Sequence, residues 1–209
     1  MFNLVLVEPE IPANTGNIGR TCVVTGTRLH LVEPLGFSLD DRALKRAGLG
    51  YWENLDVRVW GSWEEFLRGE GLATAAGAER LHFLTKKAWR IYSDATYRGG
   101  DYLVLGKESA GLSEELLAAY AERCERIPML PDGASLANAG SWKHPAGEDL
   151  AHAALRQQDI CGNFVDPNDW RISALNLSNA AAIVLFEALR QTGFAGIEGE
   201  PGAASPSDA

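Results

Sequence analysis

Chemistry in this chain is concentrated in a few short stretches of polar residues, the first two of them beside glycine. The first is Asn14-Thr15-Gly16-Asn17-Ile18-Gly19-Arg20, which follows an apolar run, Phe2 to Val7, and a turn containing Pro9 and Pro12. Prolines there stop a strand. Asn14 or Thr15 can cap the amphipathic segment that follows and ends at Gly26. Gly16 and Gly19 let another chain or a ligand approach the backbone closely. Arg20 falls about one and a half turns in, where it can aim a permanent cation toward the strand's carboxyl edge. Side-chain amides, helix N–H groups and a guanidinium together suit a phosphate, or an oxygen gaining negative charge. A second stretch, Gly106-Lys107-Glu108-Ser109-Ala110-Gly111, follows another apolar run. A third, Asn176-Leu177-Ser178-Asn179, is the polar cap of an alanine-rich helix that stops at Gly193.

The elements that must position these stretches alternate along the chain. Apolar runs at Phe2–Val7, Leu29–Val32, Val57–Trp60, Leu81–Leu84 and Tyr102–Leu105 read as strands, with Arg126–Leu130 a last short one. Helical patterns fall at Leu39–Ala47, from the capping-box Ser62 to Arg68, and from Ser113 to about Ala121. The Gly/Ala-rich stretch 69–78 reads as a loop. This alternation predicts an α/β fold, a parallel sheet covered by helices on both faces. Ligands of such sheets bind outside the carboxyl ends of the strands, where the first two glycine-rich turns fall.

Composition narrows the class. A chain of 209 residues, 46% hydrophobic and 22% charged, predicts a single soluble domain with a full core. No apolar run approaches the roughly 20 residues that span a bilayer, and the N-terminus lacks a signal-peptide pattern. Cys22, Cys124 and Cys161 are few, odd in number and far apart, which fits a reducing cytoplasm. The net charge of −9 argues at first against nucleic acid, yet the footprint that matters is local. Between Arg80 and Arg98 the bases Arg80, Lys86, Lys87, Arg90 and Arg98 face one acid, Asp94. Such a patch can hold a phosphate backbone, and a merely solvated face accounts for it equally well.

Several chemistries are excluded. Residues 106–113 lack the lysine of a phosphate loop, no G-x-G-x-x-G follows the first strand, and there is no G-x-S-x-G elbow. His144, His152 and Cys161 match no metal-ligand spacing, so no metal is expected.

Taken together and in order, Asn14…Arg20, Gly106-x-Glu108-x-x-Gly111 and Asn176-Leu177-Ser178-Asn179 resemble the motifs of the SPOUT RNA methyltransferases. The opening Glu8-Pro-Glu-Ile-Pro-x-Asn-Thr-Gly-Asn-Ile, then Leu29–Phe37, Arg46-Ala47-Gly48-Leu49-x-Tyr51 and Arg126–Met129, look like the small TrmL (YibK-like) group. The resemblance covers about residues 1–132 and 173–194. It implies a single domain over 1–194 with a C-terminal trefoil knot, working as a cytoplasmic homodimer. The implied reaction is methyl transfer from S-adenosyl-L-methionine to the ribose 2′-hydroxyl of the wobble nucleotide in the anticodon stem-loop of tRNA. Its alternatives are another tRNA site or ribosomal RNA, or an RNA-binding relative without turnover.

The resemblance also places the site. Cofactor positions match Leu84, Gly106 and Ile127, with Ala174 and Leu175 before the asparagine motif. Gly106 is small, as close approach of a ligand to the main chain would require. Glu108 either sets its loop or faces the cofactor's sulfonium. Arg20 matches the family's essential arginine; a guanidinium is hard to deprotonate, so holding the substrate phosphate and steadying the alkoxide is the preferred role. Asn14, Asn176 and Ser178 match polar positions that orient the ribose or order the cofactor loop. Two features depart from the pattern. Residues 133–175 stand where the family has a handful, an insertion at about 133–172 with a helical pattern at Glu148–Gln158 and a role as lid, RNA-contacting arm or inert excursion. Phe186 stands where relatives often carry tyrosine. The tail, 195–209, is Gly/Pro/Ser-rich and is expected to be disordered.

Overall fold

A computed structural model of the chain describes residues 1–39, 52–129 and 174–197. The helical patterns expected at Leu39–Ala47 and Glu148–Gln158, the insertion and most of the tail lie outside the described residues. Within them, strands β1 (Asn3–Val7), β2 (Arg28–Val32), β3 (Val57–Trp60), β4 (Leu81–Leu84), β5 (Arg90–Ile91), β6 (Tyr102–Leu105) and β7 (Cys124–Arg126) form one sheet. Its order is β3-β2-β1-β6-β4-β7-β5, and every pairing is parallel. Helices α1 (Pro12–Thr25), α2 (Trp63–Gly69), α3 (Ala75–Ala78), α4 (Glu114–Ala119) and α5 (Leu177–Gln191), with short 3-10 turns at Trp52–Asn54, Tyr92–Asp94 and Ala121–Arg123, complete the described elements.

Both faces of the sheet are covered, as the apolar strand runs predicted. Because successive side chains point to opposite faces, Leu4, Leu6, Leu103 and Leu105 pack with Ile18 and Cys22 of α1 and with Ala181, Val184, Leu185, Ala188 and Leu189 of α5. Val5, Tyr102 and Val104 turn the other way, onto Phe66, Leu72, Leu112 and Leu117. The buried positions of α5 recur at the three- and four-residue spacing of one helix face.

Three boundaries differ from the sequence reading. Helix α1 starts at Pro12, so neither Asn14 nor Thr15 is its cap; Ile11 is, without a side-chain bond. Proline at the first helical position brings a preset φ and no N–H to satisfy. Thr15 instead buries its hydroxyl, which has no hydrogen-bond partner among the described residues. Residues 69–78 contain α3, capped by Thr74 through a 3.0 Å bond from the Gly77 N–H. The last strand is Cys124–Arg126, earlier than 126–130. Glu125 hid it, since a charged residue argues against a buried strand. Here Glu125 is fully buried because His82 Nδ1 at 2.8 Å and the Tyr97 hydroxyl at 2.6 Å engage its two oxygens. Asp101 lies 3.3 Å from the other nitrogen of His82. Burial works against the imidazolium, but hydrogen bonds and charge from Asp101 and Glu125 win and hold the His82 pKa above the ordinary histidine range.

Candidate active site at the carboxyl edge

The sheet order sets β1 beside β6, so the turns that leave their carboxyl ends, residues 8–11 and 106–111, face each other. This is also where the strand order reverses direction, the place where open parallel sheets bind ligands. The two turns are tied by reciprocal polar contacts. Lys107 Nζ lies 2.8 Å from Glu8 Oε2, and the hydrogen bond to that carboxylate, with its charge, raises the lysine's pKa. Glu10 accepts from the Ser109 N–H and hydroxyl, both at 2.9 Å. In return, Glu108 accepts from the N–H groups of Glu10 at 2.8 Å and Ile11 at 3.3 Å, and from Asn14 Nδ2 at 3.0 Å. Glu8 itself holds a left-handed backbone, φ 53°, uncommon for a residue with a Cβ.

The tie continues into the third stretch. Asn14 is 1% exposed, and its Oδ1 accepts from Asn176 Nδ2 at 2.9 Å. Asn176 caps α5, its Oδ1 accepting from the N–H and hydroxyl of Ser178 at 2.8 and 2.7 Å. A carboxylate can only accept, so Glu108 dictates which end of the Asn14 amide faces it. That choice presents the Asn14 oxygen to Asn176 and leaves the Asn176 oxygen for the helix cap. The three polar stretches therefore form one directional relay, Glu108–Asn14–Asn176–Ser178.

The other expected site residues fall into two groups. Leu84, Gly106 and Ile127 stand at or just past the ends of the adjacent strands β4, β6 and β7, with Leu84 and Ile127 half-buried against the core. Ala174 and Leu175 are exposed, directly before the Asn176 cap. The loop itself already requires the smallness of Gly106. A Cβ there would overlap the backbone of Gly111 and Leu112, so the loop's return demands glycine whether or not a ligand also approaches. Arg20 is exposed, and because α1 starts at Pro12 it stands more than two turns from the helix start and roughly 120° round the helix from Asn14. Sequence reasoning missed Glu8, Glu10, Lys107 and Ser109 as partners. The only signals were opposite charge for Glu8 and Lys107 and a carboxylate with a hydroxyl for Glu10 and Ser109, each pair 99 positions apart, which no local pattern can connect.

Similarity to known proteins decides the family. The SpoU rRNA methylase family matches residues 1–141. The chain belongs to that family. A relative from Saccharophagus degradans, named tRNA (cytidine(34)-2'-O)-methyltransferase, is 40% identical over 197 residues, 94% of this chain and 99% of its own. A solved structure concerned with the 2-OH methylation of C/U34 on tRNA is 34% identical, with a TM-score of 0.66, covering 92% of this chain and 97% of that one. The SpoU methyltransferase AviRb from Streptomyces viridochromogenes, solved with AdoMet, shares the fold at 21% identity and a TM-score of 0.61, over 91% of this chain and 57% of that one. The relay therefore lies in a SpoU methylase, built from the three stretches that first suggested the resemblance.

Proposed function

We propose that this chain transfers a methyl group from S-adenosyl-L-methionine to the ribose 2′-hydroxyl of tRNA wobble nucleotide 34, a cytidine or uridine. The observation that carries the reading is the Glu108–Asn14–Asn176–Ser178 relay at the carboxyl edge of a SpoU-family sheet, in a chain 40% identical to a protein named for that reaction. Fit to the methyl donor rests on its surroundings. The ends of β4, β6 and β7 offer backbone groups flanked by the apolar side chains of Leu84 and Ile127, which suits a nucleoside held by its ring faces and edges. Leu84, Gly106, Ile127, Ala174 and Leu175 would hold it. When bound, it supplies an electrophilic methyl carried on a positive sulfur. Glu108, Asn14 and Asn176 fix the cap of α5 and with it the backbone that precedes the cap. Ser178, whose hydroxyl proton is committed to Asn176, keeps its lone pairs free to accept. Arg20 binds a substrate phosphate and steadies the negative charge that builds on the attacking oxygen.

Arg20 is exposed and stands roughly 120° round α1 from Asn14 of the relay, which supports a site completed across a homodimer. Helices α1 and α5 pack together, and on them Val24, Ile183 and Phe186 are 68%, 36% and 47% exposed. That apolar face is the proposed dimer seam. The proposal includes the family's C-terminal trefoil knot, a domain over 1–194 with residues 133–172 inserted, and a cytoplasmic location. Among the described residues no helix is long and apolar enough to cross a membrane.

The test is nucleoside mass spectrometry of unmodified tRNA incubated with protein and S-adenosylmethionine. The expected product is a 2′-O-methyl mark at position 34, reduced about 100- to 1,000-fold in Arg20→Ala with cofactor affinity unchanged. Methylation at another tRNA position, or only of ribosomal RNA, would overturn the substrate.

A further inference from the structure

Trp89 has no part in the relay, yet it is the most exposed large apolar side chain among the described residues, at 97%. It lies in the loop that leaves the carboxyl end of β4, five positions past Leu84, on the same edge of the sheet as the site. The backbone on either side of it is held. The Thr85 N–H bonds Glu125 O at 2.9 Å, the Ala88 N–H closes a turn on Thr85 O at 3.3 Å, and the Thr85 hydroxyl accepts from the Lys87 N–H at 3.3 Å. Immediately after it, β5 pairs with β7, Arg90 opposite Glu125 and Ile91 opposite Arg126. An indole held out in water by a fixed backbone forgoes the burial that usually stabilises so large a side chain.

Its neighbours supply the chemistry of the occupant. Lys86, Lys87 and Arg90 are all exposed around it, on a chain whose net charge is −9. Lys87 pairs with Glu114 only at the surface, where both side chains remain solvated, and Arg90 is steadied by a 3.0 Å bond to Asp94 O. The structure divides the basic run read from the sequence. Arg80 and Arg98 precede β4 and β6 and so lie at the opposite, amino edge, leaving these three cations with Trp89 at the site edge. A bare apolar contact for a protein partner would not need a ring of cations. A flat aromatic face among cations matches an unstacked base flanked by phosphates, the form in which single-stranded RNA is bound.

We infer that Trp89 is a substrate-binding residue, stacking on an unpaired base of the RNA loop while Lys86, Lys87 and Arg90 hold the neighbouring phosphates. This rests on the proposed function and adds how the loop next to the target nucleotide is held. The test measures binding separately from turnover. A fluorescein-labelled, unmodified anticodon stem-loop is titrated with wild type, Trp89→Ala and Trp89→Phe, read by anisotropy, with S-adenosylmethionine affinity measured on the same samples. Trp89→Ala is expected to weaken hairpin binding roughly 5- to 100-fold. Trp89→Phe should recover most of it, and cofactor affinity should not change. Because stacking neutralises no phosphate, Trp89→Ala should keep the wild-type salt slope, whereas Lys86→Ala combined with Lys87→Ala should flatten it. Unchanged hairpin affinity in Trp89→Ala, no hairpin binding by wild type, or a loss matched by an equal loss of cofactor affinity would each overturn the inference. Wild type that binds the hairpin without methylating it refutes the function instead, and the alanine comparison still decides the role of Trp89.

Discussion

Replacing Glu108 with glutamine separates two roles open to that residue, a brace for the loop or a counter-charge to the methyl donor. Its carboxylate accepts three donors, the N–H groups of Glu10 and Ile11 and the amide of Asn14. Glutamine keeps one acceptor oxygen and turns a second donor toward this cluster, so whichever way its amide rotates, a donor meets a donor. Bonds to a charged acceptor contribute about 1.5–3 kcal/mol each, and the half-exposed setting here lowers the total lost to about 2–3 kcal/mol. For a domain of this size 1 kcal/mol moves the melting temperature about 2–4 °C, so Glu108→Gln should melt roughly 4–12 °C lower. With Asn14 released, Asn176 loses its partner and the backbone ahead of α5 loosens. Affinity for S-adenosylmethionine and for S-adenosylhomocysteine, which lacks the sulfonium charge, should then fall by the same factor. Differential scanning fluorimetry and calorimetric titration of both ligands read these effects. An unchanged melting temperature with a loss confined to the charged ligand would refute the brace and make Glu108 the counter-charge.

Three further outcomes follow from the geometry. Gly106→Ala drives a methyl into the backbone of Gly111 and Leu112, which cannot swing aside as a side chain does, and should cost about 3 kcal/mol in urea unfolding; a loss under 1 kcal/mol would mean the loop has room to shift. Burial lowers the His30 pKa from 6.5 to about 4, and Trp60 Nε1, donating to its Nδ1 at 3.1 Å, requires the neutral ring. Stability from His30 is therefore complete above pH 6.5 and falls as pH drops through 4, by up to about 3 kcal/mol. His30→Gln should flatten that limb of the stability profile, and an unaltered pH slope would show that folding leaves the His30 pKa unshifted. Phe186→Asp, on the exposed face of α5, should convert a dimer to monomers in light scattering and reduce methylation in proportion; a monomeric wild type would remove the basis for a shared site.

Strands β1, β2, β3, β4 and β6 and the cap of α5 were legible because their causes are local, whereas the two-residue β5 carries no apolar run of its own. Apolar runs of four or five residues, Ser62 and Ser113 ahead of helical stretches, and Asn176 followed by Ser178 each carry their partner within a few positions. Strand β7 was misplaced because Glu125 is tolerated in the core only through His82 and Tyr97, residues 43 and 28 positions earlier. The cap of α1 was placed three or four residues late because the acceptor that orders its entry, Glu108, comes from another turn of the chain.

By itself, then, the sequence determined the class of fold, the residue types gathered at the carboxyl edge, and the order of the three motifs that led to the family. Periodicity and capping act over one turn of helix or one strand, and those distances are contained in a short stretch of sequence. Only the tertiary structure decided what each polar residue faces. Setting β1 beside β6 brought residues nearly a hundred positions apart to hydrogen-bond distance. It turned Glu108 toward the entry of α1 and Asn14 toward Asn176, and pairing β5 with β7 left Trp89 on the rim with its cations. Hydrogen-bond direction depends on which acceptor lies within reach, and that depends on how the strands are ordered in space.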